Sequence, residues 1–349
     1  MNYLPLPAVP EKGLWYTLSP ERAACADGTP YFAFVKEGSP EDLLIYFSGG
    51  GVAVNAYMEA RPHLPGNPAG EHYYRPSCIP FCDEIPGAGV MSPDPANPFA
   101  DFTVIAMNYA SGDFYVGTGE QTVPFPDGSD RLVLHHGFEN YELVMREVKR
   151  RYPAPKRILI CGCSAGGFGV SMLAADLADL YADCPNITVC ADSPLLLYDW
   201  KAALSRWGAP EVLRERCASE DLALDHLSFL HREHPNVKLL YACSLRDNTL
   251  SAFQNALDGG IRTASPDDGL RFTARLRASV AALRERIPGM GLLIFDIPLT
   301  RTSPMTRHQI LNCPHAFTPL DGSTRAVDWL MAAMDGSVTS LGLEYLFEE

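Results

Sequence analysis

A serine between small residues is the clearest candidate for chemistry in this sequence. Ser164 follows an apolar segment at 157–161 and precedes a helical pattern that begins at Ser164 or Ala165 and continues to about Leu180. A strand, a sharp turn carrying serine and a helix make a nucleophile elbow, whose strained turn admits only small residues nearby. Gly162 and Gly166 occupy those positions in the run Gly162-Cys163-Ser164-Ala165-Gly166-Gly167. We therefore predict that Ser164 is a nucleophile. The alternative, a glycine-rich turn that binds phosphate, lacks the G-x-G-x-x-G pattern.

A second glycine-rich segment, Phe47-Ser48-Gly49-Gly50-Gly51, ends the apolar segment 43–47. A serine that attacks an acyl group needs N–H donors for the oxyanion that develops. Glycines let the backbone approach a substrate closely, and the helix that follows the elbow supplies a further donor at its N-terminus. The sequence therefore predicts an oxyanion hole made of the N–H groups of Gly50, Gly51 and Ala165.

A serine nucleophile also needs a histidine base and an acid that orients this base. In hydrolases with such an elbow, the three residues follow the order Ser, acid, His. Asp247 follows the apolar segment 237–243, and Asp192, which follows 187–191, is the alternative acid. Asp247 could also cap a helix that begins near Asn248, and the two roles are compatible. Only His308 and His315 come after Asp247, so His308 is the predicted base and His315 the alternative.

The elements that must position these residues follow an α/β pattern. Strand candidates, several of them apolar on both faces, lie at 31–35, 43–47, 103–107, 157–161, 187–191, 237–243 and 292–297. Helical patterns lie between them, for example near 138–148 and 276–283. This alternation predicts a doubly wound, mostly parallel central sheet flanked by helices, in one domain spanning 1–349. The Pro- and Gly-rich stretch 61–102 is predicted to be a long loop insertion, and 195–234 is a candidate helical cap.

Composition and charge argue against several other classes of protein. The net charge is −14 with no run of Lys or Arg, so we expect no nucleic-acid partner. No apolar stretch approaches the roughly 20 residues that span a bilayer, so no membrane span is expected. The N-terminus lacks the regions of a signal peptide, which favours a cytoplasmic protein, or a secreted one if a leader was removed. No cofactor motif or zinc-like cysteine spacing is present, so neither a cofactor nor a metal is expected.

The adjacent histidines His135 and His136 are a further polar feature. Neighbouring side chains point in different directions, which argues against a shared metal ion. We expect these histidines to orient the glycine segment or to cap the helix that starts near Gly137, and Asp113 to brace the same region.

Six segments in a characteristic order carry a resemblance to a known family: Asp27-Gly28-Thr29-Pro30-Tyr31, Tyr46-Phe47-Ser48-Gly49-Gly50-Gly51, Asn108-Tyr109-Ala110-Ser111-Gly112-Asp113, His135-His136-Gly137, Gly162-Cys163-Ser164-Ala165-Gly166-Gly167 and Ala191-Asp192-Ser193. The sequence resembles the pectin acetylesterase and Notum-like carboxylesterase family. This resemblance implies an α/β-hydrolase fold, a Ser-Asp-His triad, no cofactor and hydrolysis of acyl esters. Substrates in the family include acetylated pectin and a lipid-modified protein. Asp247 and His308 match the family's acid and histidine.

Two departures from the family pattern concern the pocket walls. Family members commonly have Glu before the glycines, where this sequence has Ser48, and Cys where it has Ala110. We therefore predict a serine carboxylesterase that hydrolyses an acyl ester, with acetyl as the first choice, of a carbohydrate or similar small molecule. The alternatives are a thioesterase, lipid-ester hydrolase or amidase with the same triad, and an inactive binding protein on this scaffold.

Overall fold

The apolar segments of the chain build one nine-stranded sheet in a computed structural model, which describes residues 3–64, 71–79 and 84–347. The strands are β1 (Leu4–Pro5), β2 (Trp15–Leu18), β3 (Ala33–Lys36), β4 (Ser39–Phe47), β5 (Phe102–Met107), β6 (Gly119–Pro124), β7 (Asp130–His135), β8 (Arg157–Cys163), β9 (Ile187–Asp192), β10 (Lys238–Ser244) and β11 (Gly291–Phe295). Their order in the sheet is β1-β2-β3-β5-β4-β8-β9-β10-β11, and β6 pairs with β7 in a separate hairpin.

The sheet is mostly parallel, as the sequence predicts. The six strands from β5 through β4, β8, β9 and β10 to β11 are all parallel, whereas β3 runs antiparallel to both its neighbours. All seven strand candidates are present, with some ends shifted by up to four residues. The sequence did not predict β1, β2, β6 or β7, because these strands are short or exposed and lack a continuous apolar run.

Alternation of side chains along the central strands divides the core into two layers. In β4, Leu43, Ile45 and Phe47 pack into one layer, while Leu44 and Tyr46 pack into the other. This is the period of two expected of a strand. Both layers are buried because helices cover both faces of the sheet, which makes the strands apolar on each side.

The helices complete the doubly wound arrangement. They are α1 (Ala56–Glu59), α2 (Gly137–Arg151), α3 (Ala165–Leu180), α4 (Trp200–Arg206), α5 (Glu211–Glu215), α6 (Leu222–Glu233), α7 (Asn248–Leu257), α8 (Pro266–Arg286) and α9 (Ala326–Met334). Helix α9 contributes Trp329 and Leu330 to one apolar layer, and α2, α3, α6 and α8 contribute to the other. Among the described residues, no helix has the length and apolar character needed to cross a bilayer.

The candidate cap at 195–234 contains α4, α5 and α6. Helix α6 packs against α3 and α8. Around α4, the rings of Trp200 and Trp207 lie 5.4 and 5.6 Å from that of Phe114. The helices of residues 195–234 therefore pack within the same helical layer as α3.

The predicted loop 61–102 returns to the carboxyl end of β4. Tyr74 forms isolated bridges with both Gly51 and Pro62, and the N–H of Val90 donates to the carbonyl of Leu311 at 2.8 Å. The first contact holds the loop beside the glycine segment, and the second holds it beside the segment that follows His308. Residues 65–70 and 80–83 of the predicted loop lie outside the described residues.

Candidate active site

Ser164 occupies a sharp turn between β8 and α3. Its φ of 57° is a left-handed conformation, which costs a non-glycine residue about 1 kcal/mol or more. The turn is held because the Ser164 N–H donates to the carbonyl of Asp192 at 2.8 Å. A Cβ atom at Gly162 would lie 2.6 Å from the carbonyl oxygen of Gly166, and one at Gly166 would overlap the carbonyl of Phe47. The packing of three backbone segments therefore explains both glycines of the G-x-S-x-G pattern.

The glycine segment after β4 lies beside this turn. A Cβ atom at Gly49 would lie 2.9 Å from that of Ser164, one at Gly50 would overlap the ring of Tyr109, and one at Gly51, which has φ of 86°, would overlap the carbonyl of Tyr73. Within the described part of the chain, no hydrogen bond has the N–H of Gly50, Gly51 or Ala165 as its donor. The three predicted oxyanion donors therefore have no hydrogen-bond acceptor within the described ranges.

A buried ionic cluster braces the segment that follows the glycines. Glu59, at the end of α1, accepts hydrogen bonds from Arg206 at 2.6 and 2.5 Å and lies 3.0 Å from Nε2 of His135. The other ring nitrogen of His135 lies 3.1 Å from the carbonyl of Ser111. Burial raises the pKa of Glu59, but the contacts with His135 and Arg206 outweigh it, so the net pKa is lowered. His135 is conspicuous in the sequence as one of two adjacent histidines, whereas Glu59 and Arg206 belong to no motif and have partners that are distant in sequence.

Asp113 braces the neighbouring loop. One carboxylate oxygen accepts from the N–H of Gly137 at 2.9 Å, and the other accepts from the N–H of Tyr115 at 3.0 Å. The N-terminus of α2 is therefore capped by Asp113, whereas the side chain of His136 makes no capping hydrogen bond.

Asp247 and His308 form a hydrogen-bonded pair at the carboxyl edge of the sheet. Asp247 follows β10 and is fully buried, and its Oδ2 lies 2.7 Å from Nδ1 of His308. Its Oδ1 accepts from the N–H of Leu250 at 2.8 Å, so the same carboxylate caps α7. Burial lowers the pKa of His308, but the charges of Asp247 and Asp192 outweigh this effect, so the net pKa is raised.

The second ring nitrogen of His308 faces the same pocket as Ser164. Nε2 is buried and has no hydrogen-bond partner among the described residues, while both side chains line one cavity. A bond between Ser164 Oγ and this nitrogen is therefore not formed in the structure. Catalytic hydrogen bonds often tighten only when substrate binds.

The two alternative residues take other positions. Among the described residues, Asp192 forms no hydrogen bond with the ring of His308; its Oδ2 accepts from the N–H groups of Ile310 and Leu311 at 2.7 and 2.9 Å. Asp192 thus anchors the loop that carries His308. Burial raises its pKa to about 6, although these hydrogen bonds lower it. His315 lies in a 3-10 turn, Pro314–Phe317, and lines a different cavity.

The cavity beside Ser164 has a volume of about 300 Å³. Its lining comes from the end of β4 and the glycine segment, the 61–102 loop, the Ser164 turn, α7 and the segment after it, and the His308 loop. The lining residues are Tyr46, Ser48, Gly49, Gly50, Gly51, His63, His72, Tyr73, Tyr74, Arg75, Glu84, Ile85, Met91, Ser164, Thr249, Phe253, Arg262, His308, Gln309 and Asn312. Among the described residues, helices α4 to α6 contribute nothing to this lining. Within the same described ranges, no three His, Cys, Asp or Glu side chains converge as a metal ion would require.

One side of this cavity is cationic. The guanidinium of Arg262 lies 4.4 Å from the ring centre of Phe253 and donates to the carbonyl of His72, and its buried Nε has no hydrogen-bond partner among the described residues. Burial lowers the pKa of His63, and the charges of His72, Arg75 and Arg262 lower it further. Arg262 could not be predicted as a pocket residue from the sequence, because it is an isolated arginine outside any motif.

A parallel sheet flanked by helices, with a serine elbow at the end of a central strand, defines an α/β-hydrolase. The pectinacetylesterase family model matches residues 15–203, which is more than half of the chain. The chain therefore belongs to the pectinacetylesterase family, a family of carboxylic ester hydrolases that act on acetyl esters. The match includes Ser164 and the glycine segment, whereas Asp247 and His308 lie beyond it. No curated protein matches the sequence.

Proposed function

We propose that this protein is a serine esterase that removes acetyl groups from a carbohydrate, with Ser164 as nucleophile, His308 as base and Asp247 as acid. The observation that carries the proposal is the hydrogen bond of 2.7 Å between Asp247 Oδ2 and His308 Nδ1. The other ring nitrogen of His308, Nε2, is buried and unpartnered among the described residues, and His308 lines the same pocket as Ser164. A base oriented through Nδ1 and free at Nε2 is the arrangement that serine activation requires.

The reaction would follow two half-reactions. As Ser164 Oγ attacks the ester carbonyl, its proton passes to His308 Nε2, and the N–H groups of Gly50, Gly51 and Ala165 hold the oxyanion. His308 then gives this proton to the departing alcohol, which leaves an acetyl-serine. A water molecule attacks the acetyl-serine, His308 accepts the water proton and returns it to Oγ, and acetate is released. Asp247 holds the Nδ1–H tautomer throughout.

The walls of the pocket favour a small acyl group on an acidic sugar. Among the described residues, the Arg262 guanidinium forms no salt bridge and feels the charge of Glu71 only from a greater distance. The neighbouring Arg75 is paired with Glu84 at 2.5 Å. A carboxylate on the substrate would offset the free-energy cost of removing the Arg262 guanidinium from water. A long acyl chain would place apolar surface against these charged and imidazole groups, which disfavours the lipid-ester alternative.

Labelling with a fluorophosphonate probe tests the nucleophile. Wild-type protein should be labelled, Ser164→Ala should not, and Ser129→Ala, on an exposed turn, should be labelled like wild type. A wild type that remains unlabelled and releases no acetate would favour the inactive binding protein.

Comparison of p-nitrophenyl esters of increasing acyl length tests which acyl group the enzyme accepts. A preference for long chains would contradict acetyl specificity.

A further inference from the structure

Gln309, the residue after His308, has a strained backbone. Its φ of 57° is left-handed, a conformation that glycine adopts freely and glutamine does not. The chain is fixed directly after it, because the N–H groups of Ile310 and Leu311 both donate to Asp192. Strain of this kind persists where surrounding contacts impose it, and it concentrates at functional sites.

The strained residue directs its carboxamide towards the reaction centre. Gln309 lines the cavity that contains Ser164. A Cβ atom at Gly49 would lie 3.6 Å from Gln309 Oε1 and 2.9 Å from Ser164 Cβ, so the carboxamide oxygen and the serine lie on the same side of Gly49. Oε1 is buried and has no hydrogen-bond partner among the described residues.

An unpaired buried acceptor is unfavourable unless a ligand supplies a donor. Arg262 Nε, His308 Nε2 and Asn312 Oδ1, which line the same cavity, are also unpartnered, so the unpaired groups concentrate where substrate would bind. An acetyl ester itself contains no hydrogen-bond donor. A donor that the substrate supplies to Oε1 must therefore come from its alcohol part.

We propose that Gln309 is a specificity-determining residue that accepts a hydrogen bond from a hydroxyl group next to the ester on the alcohol part of the substrate. This inference rests on the proposed esterase function. It explains why this chain has a glutamine at a position where glycine would relieve the backbone strain. It also implies that the enzyme selects acetylated polyols over esters of alcohols without further hydroxyls, because a substrate that lacks the donor leaves Oε1 unpaired.

The test compares two substrates with similar rings, a monoacetylated methyl glucoside and cyclohexyl acetate, on wild type, Gln309→Gly and Gln309→Asn. Glycine removes the carboxamide and tolerates the left-handed backbone, and asparagine also tolerates it but withdraws the carboxamide by one methylene. We expect kcat/KM for the glucoside to fall about tenfold or more in both variants, while that for cyclohexyl acetate stays within about twofold. The melting temperature of Gln309→Gly should equal or exceed that of wild type.

Arg22→Gly is the matched control, because Arg22 has φ of 73° on the exposed surface away from the cavity. It should relieve strain without changing either kcat/KM. Equal losses on both substrates in Gln309→Gly would overturn the proposal, since the carboxamide would then act on the oxyanion or on the attacking water. Unchanged kinetics on both would overturn it as well. Failure of the esterase function itself looks different, because wild type would then hydrolyse neither substrate and resist the fluorophosphonate probe.

Discussion

The carboxylate of Asp247 serves two structural partners at once, with Oδ2 at 2.7 Å from His308 Nδ1 and Oδ1 at 2.8 Å from the N–H of Leu250. The helix α7 is thereby fixed to the loop that carries the histidine. Because the two oxygens have separate tasks, substitutions can remove one role and keep the other.

Asp247→Asn should retain the cap of α7 through its amide oxygen but lose the charge that orients and stabilises protonated His308. We expect kcat to fall by about 10³- to 10⁴-fold with little change in melting temperature. Asp247→Ala should show the same catalytic loss and, in addition, about 1 kcal/mol lower stability because the cap is removed. Steady-state kinetics and thermal unfolding of both variants check this. Near-wild-type kcat in Asp247→Asn would exclude Asp247 as the acid.

The pH dependence of kcat/KM should report the pKa of His308. The base must be neutral to accept a proton, so activity rises with pH through this pKa, and the raised pKa places the inflection above that of an ordinary histidine. Asp192→Asn should move the inflection to lower pH, because the charge of Asp192 raises the pKa of His308. The shift should be smaller than in Asp247→Asn, since Asp192 makes no hydrogen bond to the ring. An unmoved inflection in both variants would mean that another group titrates.

Asp192 should also make stability depend on pH. Burial raises its folded pKa to about 6, whereas the unfolded value is about 4. The folded protein therefore holds this proton more tightly, and the stability it contributes is present below about pH 4 and lost as pH rises through about 6. Subtracting the unfolding free energies of Asp192→Asn from those of wild type across pH 4–7 isolates this contribution. A difference that is flat with pH would contradict it.

Much of this arrangement could be predicted from the sequence because its determinants are local. The glycines around Ser164 are required by contacts within one turn and with Phe47, and the central strands are apolar on both faces. The features that could not be predicted from the sequence depend on contacts between segments that are far apart in the chain. Glu59 meets Arg206 across 147 residues, and Asp192 meets Leu311 across 119. Neither pair carries a local pattern, so the role of Asp192 as an anchor of the His308 loop was visible only in three dimensions.

Glu59→Gln tests the brace below the glycine segment. The substitution leaves Arg206 and the fully buried His135 without their anionic partner, so we expect the free energy of unfolding to fall by about 3 kcal/mol. Glu147→Gln, which removes partners of Arg150 and Arg151 on the surface, should cost about 0.5 kcal/mol or less. Denaturant unfolding measures both. Similar small losses in the two variants would show that the Glu59 cluster does not stabilise the fold.

Arg262→Gln tests the charge of the substrate. If Arg262 binds a carboxylate, its loss should lower kcat/KM for an acetylated uronic acid about tenfold or more, since hydrogen bonds to charged groups contribute about 1.5–3 kcal/mol. The kcat/KM for the matching neutral acetylated sugar should change little, and wild-type preference for the acidic substrate should weaken as salt is added. Arg277→Gln removes one positive charge on the exposed face of α8, away from the cavity, and should leave both values of kcat/KM unchanged.

Because the protein carries a net charge of −14, long-range attraction cannot account for a preference for an anionic substrate. Such a preference must therefore arise from the pocket itself. A wild type that favours the neutral sugar would therefore contradict an anionic substrate.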